Sequence, residues 1–133
     1  MKILYLPVKK QWFTMEDTGV KTEEYRRITP FWVKRLLWDA DFDEPIGDSD
    51  TDLLPEAYEH GLDAGCFAFR DYTHVMLTAG YPKKDDMSRR ALFPIERMRI
   101  GRGRTEWGAP ANEKVFIIQL NKKLNFEYEE RKQ

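Results

Sequence analysis

The sequence predicts an α+β fold: a small β-barrel of about six strands with two to three helices packed on it. Two observations lead to this prediction. Strand-like and helix-like segments alternate over residues 2–37. After residue 65, four apolar runs follow one another and are separated by glycine, proline or charged turns. The chain has 133 residues, and we expect one domain over 1–133, because smaller pieces would bury too little core.

A strand and a helix are the first two predicted elements. KILYL (2–6) has the composition of a strand, which we expect Pro7 to end. The next segment is predicted to be a helix that stops at Gly19, because its apolar residues recur at helical spacing. These apolar residues are Val8, Trp12 and Met15.

A charged strand and a second helix follow. KTEEYRR (21–27) is predicted to be a strand, because a tyrosine and a β-branched threonine lie among its charges. Thr29 is a candidate N-cap, and Pro30 occupies the first helical position, an order typical of helix starts. A second helix is therefore predicted to begin at Pro30.

The charges are distributed unevenly, although the net charge is only −1. Residues 38–65 contain ten acidic residues and no lysine or arginine, whereas 1–37 and 66–133 are both net basic. An acidic insert at about 38–63 therefore interrupts a basic body. Within the insert we expect loops around one short helix, which would begin at Pro55 and stop at Gly61.

Four further strands are predicted after the insert. Pro94 identifies one of them as an edge, bulged or bent strand, since proline cannot donate to a strand ladder. Residues 121–133 form a charged tail, which either adds a strand through Leu124, Phe126 and Tyr128 or continues without one. The four strands are GCFAFR (65–70), THVMLTAGY (73–81), ALFPIERMRIG (91–101) and KVFIIQL (114–120).

Composition argues against several kinds of site. Cys66 is the only cysteine, and His60 and His74 are the only histidines, so we expect neither an internal disulfide nor a zinc site. The apolar run from Ile3 to Val8 is too short for a signal peptide or a membrane span. We therefore expect a soluble, cytoplasmic protein without a cofactor or a structural metal. Composition does not indicate its oligomeric state.

The charged strand at 21–27 is the first candidate functional feature. Thr22, Glu24 and Arg26 share one face by strand alternation, and Lys21 can reach this face from the preceding turn. In a cleft, such a carboxylate and its cations would have shifted pKa values, as groups at binding and catalytic sites often do. An exposed strand face with ordinary surface ion pairs is the alternative interpretation.

An arginine-rich segment, RRALFPIERMRIGRGR (89–104), is the second candidate feature. Arg97 and Arg99 share one face of a predicted strand, and Arg102 and Arg104 follow it. Such a stripe suits contacts with RNA phosphates, and nearby aromatic rings can stack on bases. A solvated strand face paired with neighbouring acids is the alternative here.

Gly19, Lys21, Glu24 and Arg26 spell the motif G-x-K-x-x-E-x-R, in the version K-T-E-E-Y-R. On these residues the chain resembles the ASCH family of the PUA-like superfamily. Segments 6–32, 67–81 and 101–120 are similar to the family's opening helix and strand, central strands and closing segment. The resemblance implies a PUA-like β-barrel with a cleft at the motif, and binding of RNA or nucleotides. Some small family members hydrolyse an acetylated cytidine, and others are described as ribonucleases.

The leading functional expectation is therefore binding of RNA or a nucleotide-like small molecule. RNA contacts are expected from Arg97, Arg99, Arg102 and Arg104. The expected ligand-binding residues of the cleft are Lys21, Thr22, Glu24, Tyr25, Arg26, Arg70 and Trp107.

Two alternatives from other classes remain open. The first is a hydrolase acting on an acylated nucleoside or on RNA, with Lys21 and Glu24 as catalytic residues. Glu24 stands where the resemblance places a catalytic threonine, so it would act as a general base on water while Lys21 neutralises the oxyanion. The second is a protein-interaction module that uses the acidic insert.

Overall fold

The computed structural model describes residues 1–125, and within them it contains three helices and eight strands. The helices are α1 (Lys10–Asp17), α2 (Pro30–Leu36) and α3 (Pro55–Ala64). The strands are β1 (Ile3–Val8), β2 (Glu23–Arg27), β3 (Leu37–Asp39), β4 (Glu44–Pro45), β5 (Phe67–Phe69), β6 (His74–Ala79), β7 (Arg90–Gly101) and β8 (Val115–Leu120). The α+β class and the number of helices are as predicted.

The strands form two sheets. A five-stranded sheet has the order β1-β6-β7-β8-β2, and a three-stranded sheet has the order β4-β3-β5. β1 pairs in parallel with β6, from Ile3 opposite His74 to Val8 opposite Ala79. β6 then pairs antiparallel with β7. Within residues 1–125 the structure has eight strands in two sheets, where the sequence predicted a small β-barrel of about six strands. The closed, PUA-like barrel stays a prediction.

The chain divides into two compact units. The first contains Met1–Glu24, Tyr72–Arg97 and the described residues from Ile118 onward, and its core includes Leu4, Leu6, Val75, Leu77 and Phe93. The second contains Tyr25–Asp71 and Met98–Ile117, and its core includes Val33, Leu36, Tyr58, Val115 and Phe116. None of the helices within residues 1–125 is both long and apolar enough to cross a membrane. The expectation of a single domain stays a prediction.

The start of α2 is confirmed. Thr29 is the N-cap, its hydroxyl oxygen accepts a hydrogen bond from the Trp32 amide at 3.4 Å, and Pro30 is the first helical residue. The stop at Gly19 is also observed, because this glycine has a φ of 81°, which residues with a side chain rarely adopt. Both signals consist of a few neighbouring residues, so the sequence alone is enough to locate the start of α2 and the stop at Gly19.

The prediction that Pro7 ends the first strand is wrong. β1 runs through Pro7 to Val8, with Pro7 opposite Thr78. β1 lies at the edge of its sheet, where a residue without an N–H is tolerated on the unpaired side.

Pro94 predicted an edge, bulged or bent strand, and of these three alternatives the edge position is wrong. β7 lies between β6 and β8. Pro94 is opposite His74, the first residue of β6, so the proline falls where the β6 pairing ends. Pro94, which has no N–H to donate, therefore lies at the end of the hydrogen-bond ladder between β6 and β7.

The third helix does not stop at Gly61. α3 continues to Ala64 and is capped by Gly65, which has a φ of 83°. Gly61 is instead required by packing, because a Cβ placed on it would lie 2.4 Å from the Cδ2 atom of Phe67. The insert also contains β4 and a turn of 3-10 helix at Asp48–Asp50, which were expected to be loop.

Residues 121–125 have no regular secondary structure, although the Leu124 amide donates to the Leu92 carbonyl at 2.8 Å. The other two residues of the predicted tail strand, Phe126 and Tyr128, lie outside the described residues.

Candidate functional site

The turn between α1 and β2 folds Lys21 back against the helix that precedes it. After α1, Gly19 takes the left-handed conformation, and the amides of Val20 and Lys21 both donate to the Met15 carbonyl, at 2.8 and 3.0 Å. This tight turn places the Lys21 side chain next to Glu16 in the last turn of the helix. The motif glycine therefore determines where the motif lysine lies.

Lys21 is held between two carboxyl groups. Its Nζ atom donates to Glu24 Oε2 at 2.6 Å and to Glu16 Oε1 at 3.1 Å, and it lies 5.6 Å from the centre of the Trp12 ring. The three charged residues are almost inaccessible, with exposed fractions of 1% for Glu16 and Lys21 and 5% for Glu24. We call Glu16, Lys21 and Glu24 the buried triad.

Two carboxyl groups and one ammonium cannot all be ionised here without leaving an uncompensated buried charge. Burial, together with the charge of Glu24 and a hydrogen bond to it, raises the pKa of Glu16 to about 10, although Lys21 opposes the shift. At neutral pH Glu16 is therefore protonated, and one carboxylate faces one ammonium. The Oε2 atom of Glu16 is buried and has no hydrogen-bond partner among the described residues.

A cavity of about 450 Å³ in the first unit borders the buried triad. Glu16 and Lys21 lie in its wall, next to Gly19 and Thr22 of the motif. The other lining residues are Asp17, Thr18, Phe93, Leu120, Asn121, Lys122 and Lys123. The chain after β8 therefore contributes one wall, and the turn after α1 contributes another.

The wall after β8 carries polar groups and cations. Lys123 Nζ lies 2.7 Å from Asp17 Oδ1, which ties this segment to the end of α1. Asn121 donates from Nδ2 to Glu96 Oε2 at 2.9 Å. Lys122 is exposed and has no ion pair within residues 1–125.

The structure brings Lys21 and Glu24 together, as the strand pattern suggested. Thr22 is exposed and lines the cavity, and its carbonyl accepts from the Leu120 amide at 2.9 Å. The two predicted catalytic residues and Thr22 are therefore on or beside one cavity wall.

Tyr25 is a core residue of the second unit. It is 8% exposed and packs with Ala109, Val115 and Ile117, and its hydroxyl accepts from the Arg104 amide at 3.0 Å. Buried in this way, Tyr25 supports the segment around residue 104.

Trp107 packs against the same cluster. The Arg104 guanidinium lies 4.5 Å from the centre of the Trp107 ring, and the Arg104 side chain itself is exposed. Arg102 is exposed as well. This part of the second unit therefore presents cations beside an aromatic ring.

Arg26 and Arg70 each lie over a tryptophan of the second unit. The Arg26 guanidinium is 5.2 Å from the Trp32 ring centre, and that of Arg70 is 5.1 Å from the Trp38 ring centre. Arg70 also donates from Nε to the Lys34 carbonyl at 3.1 Å. Both arginines are half-buried, so a large part of each side chain is occupied by packing.

The predicted stripe on β7 has two different environments. Arg97, in the first unit, is exposed and donates from Nε to Gln119 Oε1 at 3.2 Å. Arg99, in the second unit, is half-buried and lines a cavity of about 550 Å³ together with Glu59 and Asp63. The acidic lining makes this second cavity a poor match for phosphate.

Sequence reasoning missed Glu16. The residue lies four positions after Trp12, on the helix face that was predicted to be apolar, and it follows directly after Met15. A single acid on an inward helix face, five residues before a motif lysine, is the signal that could have identified it.

Among residues 1–125, no three histidine, cysteine, aspartate or glutamate side chains are grouped so that they could hold a metal ion. Comparison with known proteins adds no identification, because no protein-family model, no curated protein and no solved structure matches this chain.

Proposed function

We propose that the protein binds RNA or a nucleotide-like ligand, and that one nucleotide occupies the cavity beside the buried triad. The observation that carries this proposal is the composition of that cavity. Its volume of about 450 Å³ falls within the range of roughly 300–1,000 Å³ usual for small-molecule sites. Besides Lys21, its walls carry one aromatic ring, one amide and two further lysines, which are Phe93, Asn121, Lys122 and Lys123.

Each of these groups suits a different part of a nucleotide. The ammonium groups of Lys122 and Lys123 suit the phosphate, because phosphate contacts supply most of the affinity in non-specific RNA binding. Phe93, which is 4% exposed, offers an apolar wall for a base. Asn121 donates to Glu96 and accepts from the Lys122 amide, which leaves one amide hydrogen and one lone pair for the edge of a base or the ribose.

In this proposal the buried triad has a structural role. Lys21 is already neutralised by the Glu24 carboxylate, also donates to the Glu16 carboxyl group and is 1% exposed, so it contributes little attraction for phosphate. Its role is to fix the cavity wall between α1 and β2. Lys122, which has no ion pair within residues 1–125, and Lys123, which pairs with Asp17, then take the place that the sequence suggested for Lys21.

We also propose that the chain is an ASCH-type, PUA-like protein of the cytoplasm. The tight turn at Gly19, the contact of Lys21 with Glu24 and the packing of Arg26 on Trp32 support this, because they use the four motif positions. In the second unit, the exposed Arg102 and Arg104 are proposed as additional contacts to RNA phosphates.

The experiment is a titration of a short oligouridine at about 50 and about 200 mM salt, because phosphate contacts weaken over this range. We expect binding at the lower concentration that weakens at the higher one, and a Lys122→Ala protein with lower affinity. The matched control is Lys10→Ala, an exposed lysine on α1 that does not line the cavity. Equal losses in both variants, or no binding by the unmodified protein, would contradict the proposal.

A hydrolase is the second candidate function, favoured by one observation. Lys21 Nζ lies 2.6 Å from Glu24 Oε2, and Lys21 lines the cavity. This arrangement is expected if Glu24 is a general base and Lys21 is a cation that stabilises an oxyanion. The test is hydrolysis of N4-acetylcytidine and of oligouridine by the protein and by Glu24→Gln. We expect a loss of about 10²–10⁴-fold in rate if Glu24 is the base. Full activity of the variant would exclude this mechanism.

A further inference from the structure

The second cavity, of about 550 Å³, lies in the second unit and is bordered by two strands. Its lining includes three consecutive residues of β5, Phe67–Phe69, and three consecutive residues of β7, Met98–Ile100. Consecutive residues of a strand point to opposite faces of a sheet. A cavity that touches all three residues of each strand therefore lies beside the strand edges and not over one face. We call it the edge cavity.

The edge of β5 beside this cavity has no partner strand within residues 1–125. β5 is the last strand of the three-stranded sheet, and no residue of its neighbour β3 lines the cavity. The Arg70 amide donates to the Leu36 carbonyl at 2.8 Å, so Arg70 faces the β3 side. Backbone groups of a strand alternate between its two sides, so Phe67 and Phe69 direct their amides and carbonyls away from β3. Such groups are a template for a further strand.

The part of β7 that lines the edge cavity also has one open side. β6 begins at His74, opposite Pro94, so its ladder with β7 ends before Met98 is reached. The other neighbour of β7 is β8, and no residue of β8 lines the cavity. The edge cavity therefore has strand backbone on two of its walls.

The end of α3 supplies the third wall and most of the charge. Glu59 and Asp63 lie one helical turn apart and both line the cavity. Glu59 contacts Lys114, whereas Asp63 is exposed and has no ion pair within residues 1–125. Arg99 is the one cation of the lining and is half-buried on β7. The apolar side chains of the lining are Leu62, Phe67, Phe69, Met98 and Ile100.

We propose that the edge cavity binds a short extended segment of a partner protein. The main chain of the segment pairs with Phe67 and Phe69 and so adds a strand to the small sheet. Its apolar side chains contact the cavity walls, and a lysine or arginine pairs with Asp63. In complexes of this kind, main-chain hydrogen bonds supply affinity, and pockets for alternate side chains supply specificity.

The observations favour this occupant over others. Two strand edges offer hydrogen bonds in the spacing of an extended main chain, which a nucleotide does not match, and the carboxylates of Glu59 and Asp63 repel phosphate. The cavity volume of about 550 Å³ lies within the range of roughly 300–1,000 Å³ usual for small ligands, so the segment is only a few residues long. This inference is independent of the proposed nucleotide binding, which uses the cavity of the first unit.

The test is a titration of the full chain with the peptide acetyl-Lys-Val-Thr-Val-amide, followed by nuclear magnetic resonance. We expect hydrogen exchange of the Phe67 and Phe69 amides to slow by about tenfold when the peptide is present at ten times its Kd, because these amides then exchange only in the free protein. The Ala68 amide, which faces β3, is the internal control and should not change. Absence of binding, or binding without slower exchange at Phe67 and Phe69, would overturn the inference.

Two modified peptides test the main-chain pairing. One is N-methylated at its lysine and threonine and the other at its two valines, so each lacks the donors on one side of the strand. We expect at least one of them to bind about tenfold more weakly than the parent peptide, because hydrogen bonds are lost and the methyl groups obstruct the pairing. Equal affinity of all three peptides would exclude strand pairing.

A substitution in the protein tests the charge contact. Asp63→Asn should weaken binding of the parent peptide by roughly two- to fivefold at low salt, as the loss of one exposed ion pair allows. The matched control is Asp52→Asn, an exposed acid of the same insert that does not line the edge cavity. Equal affinities of the two variants would show that the lysine of the peptide does not pair with Asp63 and would overturn that part of the inference.

Discussion

At the scale of single residues, the buried triad makes stability depend on pH. The pKa of Glu16 is raised by burial from 4.5 to about 10, so between these values the folded protein holds a proton that the unfolded chain has lost. Its stabilising contribution is complete below about pH 4.5, decreases as the pH rises and is gone above about pH 10. One retained proton corresponds to a slope of at most about 1.4 kcal/mol per pH unit.

We therefore expect Glu16→Gln to remove this slope, because glutamine cannot release a proton. The free energy of unfolding is measured with urea between about pH 6 and about pH 9. The value for the variant minus the value for the unmodified protein should increase as the pH rises. The control is Glu44→Gln, at an exposed position on β4. A constant difference between Glu16→Gln and the unmodified protein across this range would show that Glu16 is ionised in the fold.

At the scale of elements, α3 and β5 meet through a glycine. We expect Gly61→Ala to destabilise the protein by about 1–3 kcal/mol, because the new Cβ would lie 2.4 Å from the Phe67 ring in a packed contact. Urea unfolding measures the change. Gly47→Ala is the matched control, since a Cβ at Gly47 meets no atom within 4 Å. Equal stability of the two variants would contradict the packing of α3 on β5.

Element boundaries were predictable where the signal is local. The N-cap at Thr29, the proline after it and the turn at Gly19 are read from a few neighbouring residues and needed no knowledge of packing. The small sheet was not predictable in this way. β3 has three residues and β4 has two, and their pairing depends on β5, more than 20 residues further along the chain.

In the candidate site, too, the features set by neighbouring residues were predictable, and the features set by packing were not. Lys21 and Glu24 could be placed together by strand alternation and reach, because three positions separate them. Glu16 could not be assigned to the site from the sequence, because its role depends on burial by surrounding elements and not on a motif position. The wall after β8 was also missed, since Asn121, Lys122 and Lys123 belong to a segment that shows only charge in the sequence.

At the scale of the whole molecule, the acidic insert places negative charge on a chain whose other segments are net basic. Some of its acids pair locally: Asp48 contacts Lys34, and Glu59 contacts Lys114. The Lys34 ammonium holds the pKa of Asp48 below its usual value, which is consistent with an ionised pair. Other acids of the insert, such as Asp52 and Asp63, are exposed and add negative charge to the surface.

If the protein binds RNA, replacing Asp48, Asp52 and Asp63 by asparagine should strengthen binding. The change removes three negative charges from a chain whose net charge is −1, so the affinity for oligouridine at low salt should rise by roughly threefold or more. The difference should shrink at high salt, where surface charges are screened. Ser49→Asn, in the same segment and without a change in charge, is the control. A similar rise in that control would contradict an electrostatic role for the insert.

The parallel pairing of β1 with β6 has a consequence for biosynthesis. The Lys2 amide donates to the Thr73 hydroxyl across 71 residues of chain, and the second unit's Tyr25–Asp71 lies within that interval. At about 5–20 residues per second, a ribosome needs several seconds to make this stretch. During that time β1 has been synthesised but its partner strand has not. A nascent chain that stalls before residue 74 therefore carries an unpaired apolar strand, which chaperones would be expected to recognise.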